Sequence, residues 1–194
     1  MAASTEPAKP GKSNTDELLA LLDYAHGRIV GRLEGLCVEE YLWEPVAGCW
    51  SVRAGEDGVF RAEKQDPEPQ PAPFTTIAWR SWHIAADCLL DYCTRFFEGR
   101  DEGESRPWPG TPQGALVELE KHWARFRAHL AALDDAALAA PLGPSAGPYA
   151  QDSHQALVLH ALDEVIHHGA EIGVVRDLYR TSARGTAWAP AAAG

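Results

Sequence analysis

The sequence predicts an all-α domain, a four-helix bundle with a long crossover connection after the first helix. Three observations carry that reading. Four long stretches repeat apolar side chains at steps of three and four, the period of a helix buried on one face. The segments between them are dense in proline and glycine, which interrupt helices. No segment outside the four stretches reads clearly as a strand, although a short hairpin within residues 50–65 is compatible with the sequence.

The 194 residues are 45 % hydrophobic and 23 % charged, the balance of one globular domain with a substantial core. No apolar run approaches the ~20 residues needed to span a bilayer. The opening segment MAASTEPAKPGKSNTDE lacks the apolar centre of a signal peptide, so a cytoplasmic location is expected. Lys and Arg number 17 against 28 Asp and Glu, a net charge of −11. Such a surface repels nucleic acid and anionic membrane, and no basic stripe offsets it. Cys37, Cys49, Cys88 and Cys93 form no CxxC pair and are expected as reduced thiols. Cys88 and Cys93 lie on an apolar helix, where a small buried hydrophobe is the simpler role.

Residues 1–13 are rich in Ala, Pro, Ser and Lys and read as a disordered tail; 183–194 read as a second flexible tail, leaving 14–182 as the single domain. The first helix is expected over 16–36, with Asn14 and Glu17 in a capping arrangement. Its stripe is Leu18, Leu22, Ala25, Ile29, Arg32 or Leu33, and Leu36. Residues 37–73 form the long connection, opening with the helical turn VEEYLW and closing with DPEPQPAP, which cannot be helical. A connection of this length suggests a functional or lid-like element, with Tyr41, Trp43, Trp50 and Phe60 folding over one end of the bundle.

The second helix is expected over 76–97, with the seam Trp79, His83, Ala86, Leu90, Cys93 and Phe97. The third follows the Thr111-Pro112 start signal over 112–133, with Leu116, Leu119, Trp123, Phe126, Leu130 and Leu133 inside. Residues 134–152 read as loop. The fourth helix is expected over 153–180, capped by Asp152 or Ser153, with the seam Leu157, Ala161, Glu164, His168, Ile172, Val175 and Tyr179.

Periodicity sorts the eight histidines. His26, His122, His129 and His154 fall off the stripes or at a helix start and are expected at the surface or flanks. His83, Glu164 and His168 instead occupy slots in apolar seams. A buried carboxylate or imidazole costs several kcal/mol unless it is paired or coordinated. A Glu–His pair that only fixes helix register would satisfy that requirement. So would a metal ion, because residues four apart share one helix face. His160, Glu164 and His168 stand in that relation, but the outer two are ~12 Å apart along the axis at ~1.5 Å per residue. The seam selects Glu164 and His168; His160 falls to one side with Glu171, and His167 is rotated by about 100°. Glu164 and His167 have the Glu-x-x-His spacing of di-iron bundles, but that site needs a second copy of the motif, which the sequence lacks. His83 supplies a third ligand from a facing helix. Two imidazoles and a carboxylate leave an open position, as in catalytic zinc sites, and the same set suits nickel or non-haem iron.

The segments TTIAWRSWHIAADCLLDYCTRFFEGR and EVIHHGAEIGVVRDLY together resemble the DinB-like superfamily, close to its branch of mycothiol-dependent maleylpyruvate isomerases and thiol S-transferases. EEYLWEPVAGCWSVR is similar to the connection after the first helix in such proteins, and the likeness covers most of 16–180. The second histidine of the HHG triplet is the family's ligand, which corresponds to His168, and a His–Glu–His set matches the isomerase branch. The resemblance implies a divalent ion, zinc before nickel or iron, that activates a low-molecular-weight thiol of the mycothiol type against an electrophilic small molecule. It implies Trp79, Arg80 and Trp50 as groups that orient thiol or substrate. Asp87, four residues after His83, would orient that imidazole or stand as a solvated flank carboxylate, and His160 would support the site from one side. It also implies a homodimer. Isomerases of the branch carry a further C-terminal domain, and this chain ends soon after the fourth helix, which makes maleylpyruvate isomerisation the less expected reaction. Metal binding in a stress or interaction protein without turnover is the alternative of a different class.

Overall fold

Residues 12–100 and 106–183 are described in the computed structural model of the chain. Most of the two expected tails, 1–11 and 184–194, lies outside the described residues.

Helix α1 (Asn14–Leu33) is capped by Ser13, one residue before the expected cap Asn14. Ser13 accepts from the Asp16 N–H while Asp16 accepts from the Ser13 N–H, a reciprocal box that satisfies two free donors at once. Leu18, Leu22, Ala25, Ile29, Leu33 and Leu36 are all buried, so Leu33 and not Arg32 fills the ambiguous slot.

The connection holds α2 (Val38–Tyr41) and an antiparallel hairpin, β1 (Val52–Ala54) and β2 (Phe60–Ala62), in which Val52 pairs with Ala62. It is anchored by buried polar contacts, which makes it a fixed cover and not a free lid. The fully buried Tyr41 hydroxyl donates to the Pro109 carbonyl and accepts from the Trp108 indole N–H, both at 2.9 Å. Glu40 and Arg176, each 4 % exposed, pair at 3.0 Å, and Arg176 also donates to the Arg32 carbonyl.

The second expected helix departs from plan. It starts as α3 (Ile77–Trp82), with the Thr76 hydroxyl accepting from Trp79 N–H. It then widens into π-helical turns over His83–Leu90 and Cys93–Phe97. The uniform steps of four and three therefore fail along this stretch. Every residue from Ile77 to Trp82 is buried, and so are Ile84–Ala86 and Cys88–Leu90, because the stretch packs against both α4 and α6. Wide turns of this kind recur at functional sites, and the first one opens at His83.

Helix α4 (Pro112–Ala131) starts at the Thr111-Pro112 signal. Its buried line is Ala115, Leu119, His122, Phe126 and Leu130, while Leu116 and Trp123 sit on a half-buried flank. His122 is thus no surface residue: it is 5 % exposed. The helix is covered by α1 and by the π-helical turns, which shifts and broadens its buried face. Burial pushes the His122 imidazole down to about 4, only partly offset by Glu118 at 3.2 Å. A histidine lowered in the folded state binds its proton mainly after unfolding, so stability is full above the unfolded value and falls as pH drops towards 4. Between pH 7 and pH 5 this one group removes about 2 kcal/mol. Urea titrations across that range should show a loss that His122→Leu flattens.

Short α5 (Asp135–Ala139) and a 3₁₀ turn (Pro144–Tyr149) lead to α6 (His154–Ala183). Its core face is Val158, Ala161, Leu162, Val165, Ile172 and Val175. A Cβ on Gly169 would lie 2.6 Å from Ile29 Cγ1, so the glycine of the HHG triplet is what lets α6 close onto α1. The centre of the buried face runs beside Glu164 and His168 and not through them. Among the described residues no helix is long and apolar enough to cross a membrane. All four cysteines are free and three are buried. Burial holds the Cys88 thiol well above its usual range and pushes Cys93 up to about 12, which removes both as nucleophiles.

Candidate metal centre

The first π-helical turn and the middle of α6 bring His83, Glu164 and His168 together at the edge of the core. Their side chains are 21 %, 21 % and 19 % exposed. The triad is therefore half-buried, with one side open, and not enclosed as the seam pattern suggested. His83 Nε2 lies 3.0 Å and His168 Nε2 3.2 Å from the same atom, Glu164 Oε2. The two rings meet edge to face at 4.7 Å.

Each imidazole is held from behind by a carboxylate. His83 Nδ1 stands 3.0 Å from Asp87 Oδ2, and Lys64 Nζ pairs with the other oxygen of Asp87 at 3.1 Å. His168 Nδ1 stands 2.7 Å from Glu171 Oε2. Arg80 pairs with that same oxygen at 3.0 Å. Both rings thus turn Nε2 inward, the arrangement by which metal-binding histidines are oriented and made more basic. Burial pulls the His83 imidazole down, but Asp87 and Glu164 outweigh it and raise it to about 9. Hydrogen bonds from His168 and His83 hold the Glu164 carboxyl well below the usual carboxylate range.

The donor set fits a divalent cation. The three ligand atoms lie within 4.8 Å of one another. Two of the pairs, at 3.0 and 3.2 Å, are close to the roughly 3.3 Å between ligand atoms on one tetrahedral zinc ion. His167, His168 and Glu171 form a second group of the same size. It is the weaker candidate, because the Arg80 guanidinium already neutralises Glu171 and His167 is exposed.

Trp79 stacks on His83, with centroids 5.0 Å apart and planes 10° from parallel, and its indole N–H donates to the Glu63 carbonyl at 2.7 Å. The indole thereby fixes the face of the imidazole. Trp50 packs on Trp79 at 6.0 Å, one ring further from the triad. Arg80 does not line a mouth as expected. It is 4 % exposed, held between Glu171 and the ring of Phe74, so it acts on His168 through Glu171. His160 flanks the site with Nε2 3.5 Å from Glu164 Oε1, and its Nδ1 is 2.6 Å from the Tyr92 hydroxyl. A neutral ring that accepts from the phenol carries its proton on Nε2, facing Glu164.

Glu171 and Tyr92 were not singled out as site residues by spacing. Glu171 lies three residues after His168, a spacing that signals contact, but an acidic residue on an exposed helix flank is too common to select. Tyr92 reaches His160 from between the two π-helical stretches, whose register periodicity cannot foresee.

Fold and site together define a mostly helical protein with a His–Glu–His group able to hold a metal ion. The chain belongs to the DinB superfamily, which it matches over residues 21–172. The triad, Asp87 and Glu171 all fall inside that span. A crystal structure of the "conserved protein of locus from Enterococcus faecalis" has the same fold, with a TM-score of 0.56 over 87 % of this chain and 98 % of that one. At 17 % identity that likeness concerns the fold alone. No curated protein matches the chain.

Proposed function

We propose that the chain is a four-helix bundle enzyme of the DinB type. His83, Glu164 and His168 hold one divalent ion, zinc before nickel or iron, for the transfer of a mycothiol-type thiol to an electrophilic small molecule. The observation that carries this reading is the pair of carboxylates, Asp87 and Glu171, that orient both imidazoles towards one point. A bound ion would supply the Lewis acidity that favours the thiolate over the thiol at neutral pH. The chain's own groups do the rest. Glu164 offsets the cation's charge, Trp79 keeps the His83 ring from turning, and the open side of the triad leaves room for thiol and electrophile. Among the described residues the group has three ligands and not four, which favours an open position over the closed ion of a protein that only stores or senses metal. Four exposed apolar residues spread along α6, Leu159, Ile166, Val174 and Leu178, support the homodimer that belongs to the same reading.

The test is conjugation of mycothiol, and separately of bacillithiol, to 1-chloro-2,4-dinitrobenzene with and without added zinc. The rate should depend on the metal and fall by about a hundredfold or more in His168→Ala, the counterpart of roughly 3 kcal/mol. An active protein whose His168→Ala variant keeps full activity would contradict the proposal.

A further inference from the structure

Beside the triad, between the end of the second π-helical stretch and the 3₁₀ turn, lies a cleft of about 660 Å³. Its volume is that of a small-molecule site. Its walls include Tyr92, Phe96, Tyr149, Leu142 and Leu157, with His160 on the side nearest Glu164. His160 joins the cleft to the triad through the 3.5 Å approach to Glu164 Oε1, the carboxylate oxygen that neither His83 nor His168 takes.

We infer that this cleft is the binding site for a neutral aromatic substrate, which it presents to the metal centre from the His160 side. Aromatic side chains on two walls favour a flat ring by offset or edge-on stacking. The two side chains of fixed charge on the lining, Arg95 and Asp152, are opposite in sign. Arg95 is moreover paired with Asp91 at 3.3 Å. That pairing leaves Asp152, an exposed residue, as the remaining fixed charge of the lining, which disfavours an anionic ring and, screened by solvent, is too weak to select a cation. The uncharged hydrogen-bonding side chains are the Tyr92, Tyr149 and Ser145 hydroxyls and the His160 imidazole, enough to orient one polar substituent of the ring. The inference relies on the metal reading for the chemistry but not for the binding itself.

The cleft can be closed without touching the core. Ala156 is an exposed residue on its α6 wall, and Tyr149 is an exposed residue on the opposite side. The probe is 2-naphthol, a neutral aromatic alcohol, measured by equilibrium dialysis against the full chain. Ala156→Trp should weaken its binding by about tenfold or more and Tyr149→Ala by several-fold. Val117→Trp, at an exposed position on α4 that does not line the cleft, should leave binding unchanged. In the cobalt-substituted protein, 2-naphthol should perturb the visible cobalt bands in the wild type and not in Ala156→Trp. Equal affinity in the wild type, Ala156→Trp and Tyr149→Ala would overturn the inference, as would absence of binding to the wild type. Probe binding that Ala156→Trp abolishes, in a protein that takes up no cobalt or zinc, would leave the cleft assigned and the metal reading refuted. Stoichiometric metal without probe binding would do the reverse.

Discussion

The wild-type protein is expected to purify with one divalent ion per chain, and the Glu164→Ala protein without it. Glu164 Oε2 is the atom that both imidazoles approach, and the carboxylate is the one formal negative charge inside the triad. Removing it leaves two imidazoles on separate elements with nothing between them to offset a cation, and affinity should fall by about a thousandfold or more. Asp87→Asn provides the graded comparison. It keeps a hydrogen-bond acceptor at His83 Nδ1 but removes the charge behind it, so affinity should weaken by only ~10–100-fold. Competition against a chromophoric chelator at pH 7 separates the two. Binding should also tighten as pH rises, because His83, raised to about 9 without metal, must lose a proton to become a ligand. If Glu164→Ala retains stoichiometric metal, the ion sits elsewhere, and loss of that metal in Glu171→Gln would place it on the group of His167, His168 and Glu171.

The second large effect concerns the cover formed by the connection. Glu40→Ala leaves the Arg176 guanidinium buried with its charged partner gone, since Glu40 and Arg176 are both almost fully enclosed. Breaking a buried pair from one side costs ~3–5 kcal/mol. For a domain of this size that should lower Tm by about 10 °C or more. Replacing both partners by apolar residues of similar volume, Glu40→Leu with Arg176→Met, should recover most of the loss, because it leaves no uncompensated charge. A single Glu40→Ala variant within about 1 kcal/mol of wild type in urea unfolding would show that the pair does not anchor α2 to α6.

The helices differ in how plainly the sequence announces them. The stripe of α1 is fully legible, because that helix is buried along one face and the other is solvated. The seam of α4 is displaced by one residue at two positions, since elements on two sides cover it and His122 looks polar where it is buried. The π-helical turns after Trp82 leave no trace in an apolar run that would be buried in any register. At the site, His83, Glu164 and His168 are legible because each interrupts an apolar pattern. Their position at the edge of the core, with one side open, is not. That follows from the real centre of the α6 face, set by Ala161, Val165 and Gly169 against α1. Asp87 is legible from its i+4 relation to His83. The role of Arg80 is not, because a pairing of Arg80 with Glu171 joins elements far apart in sequence.

The most direct test of the central claim is the zinc X-ray absorption spectrum of the full chain loaded with one equivalent of zinc, without added thiol. The account predicts nitrogen and oxygen ligands at about 2.0–2.1 Å, with the outer-shell scattering of two imidazoles. Sulfur at about 2.3 Å, or the scattering of fewer than two imidazoles, would contradict it.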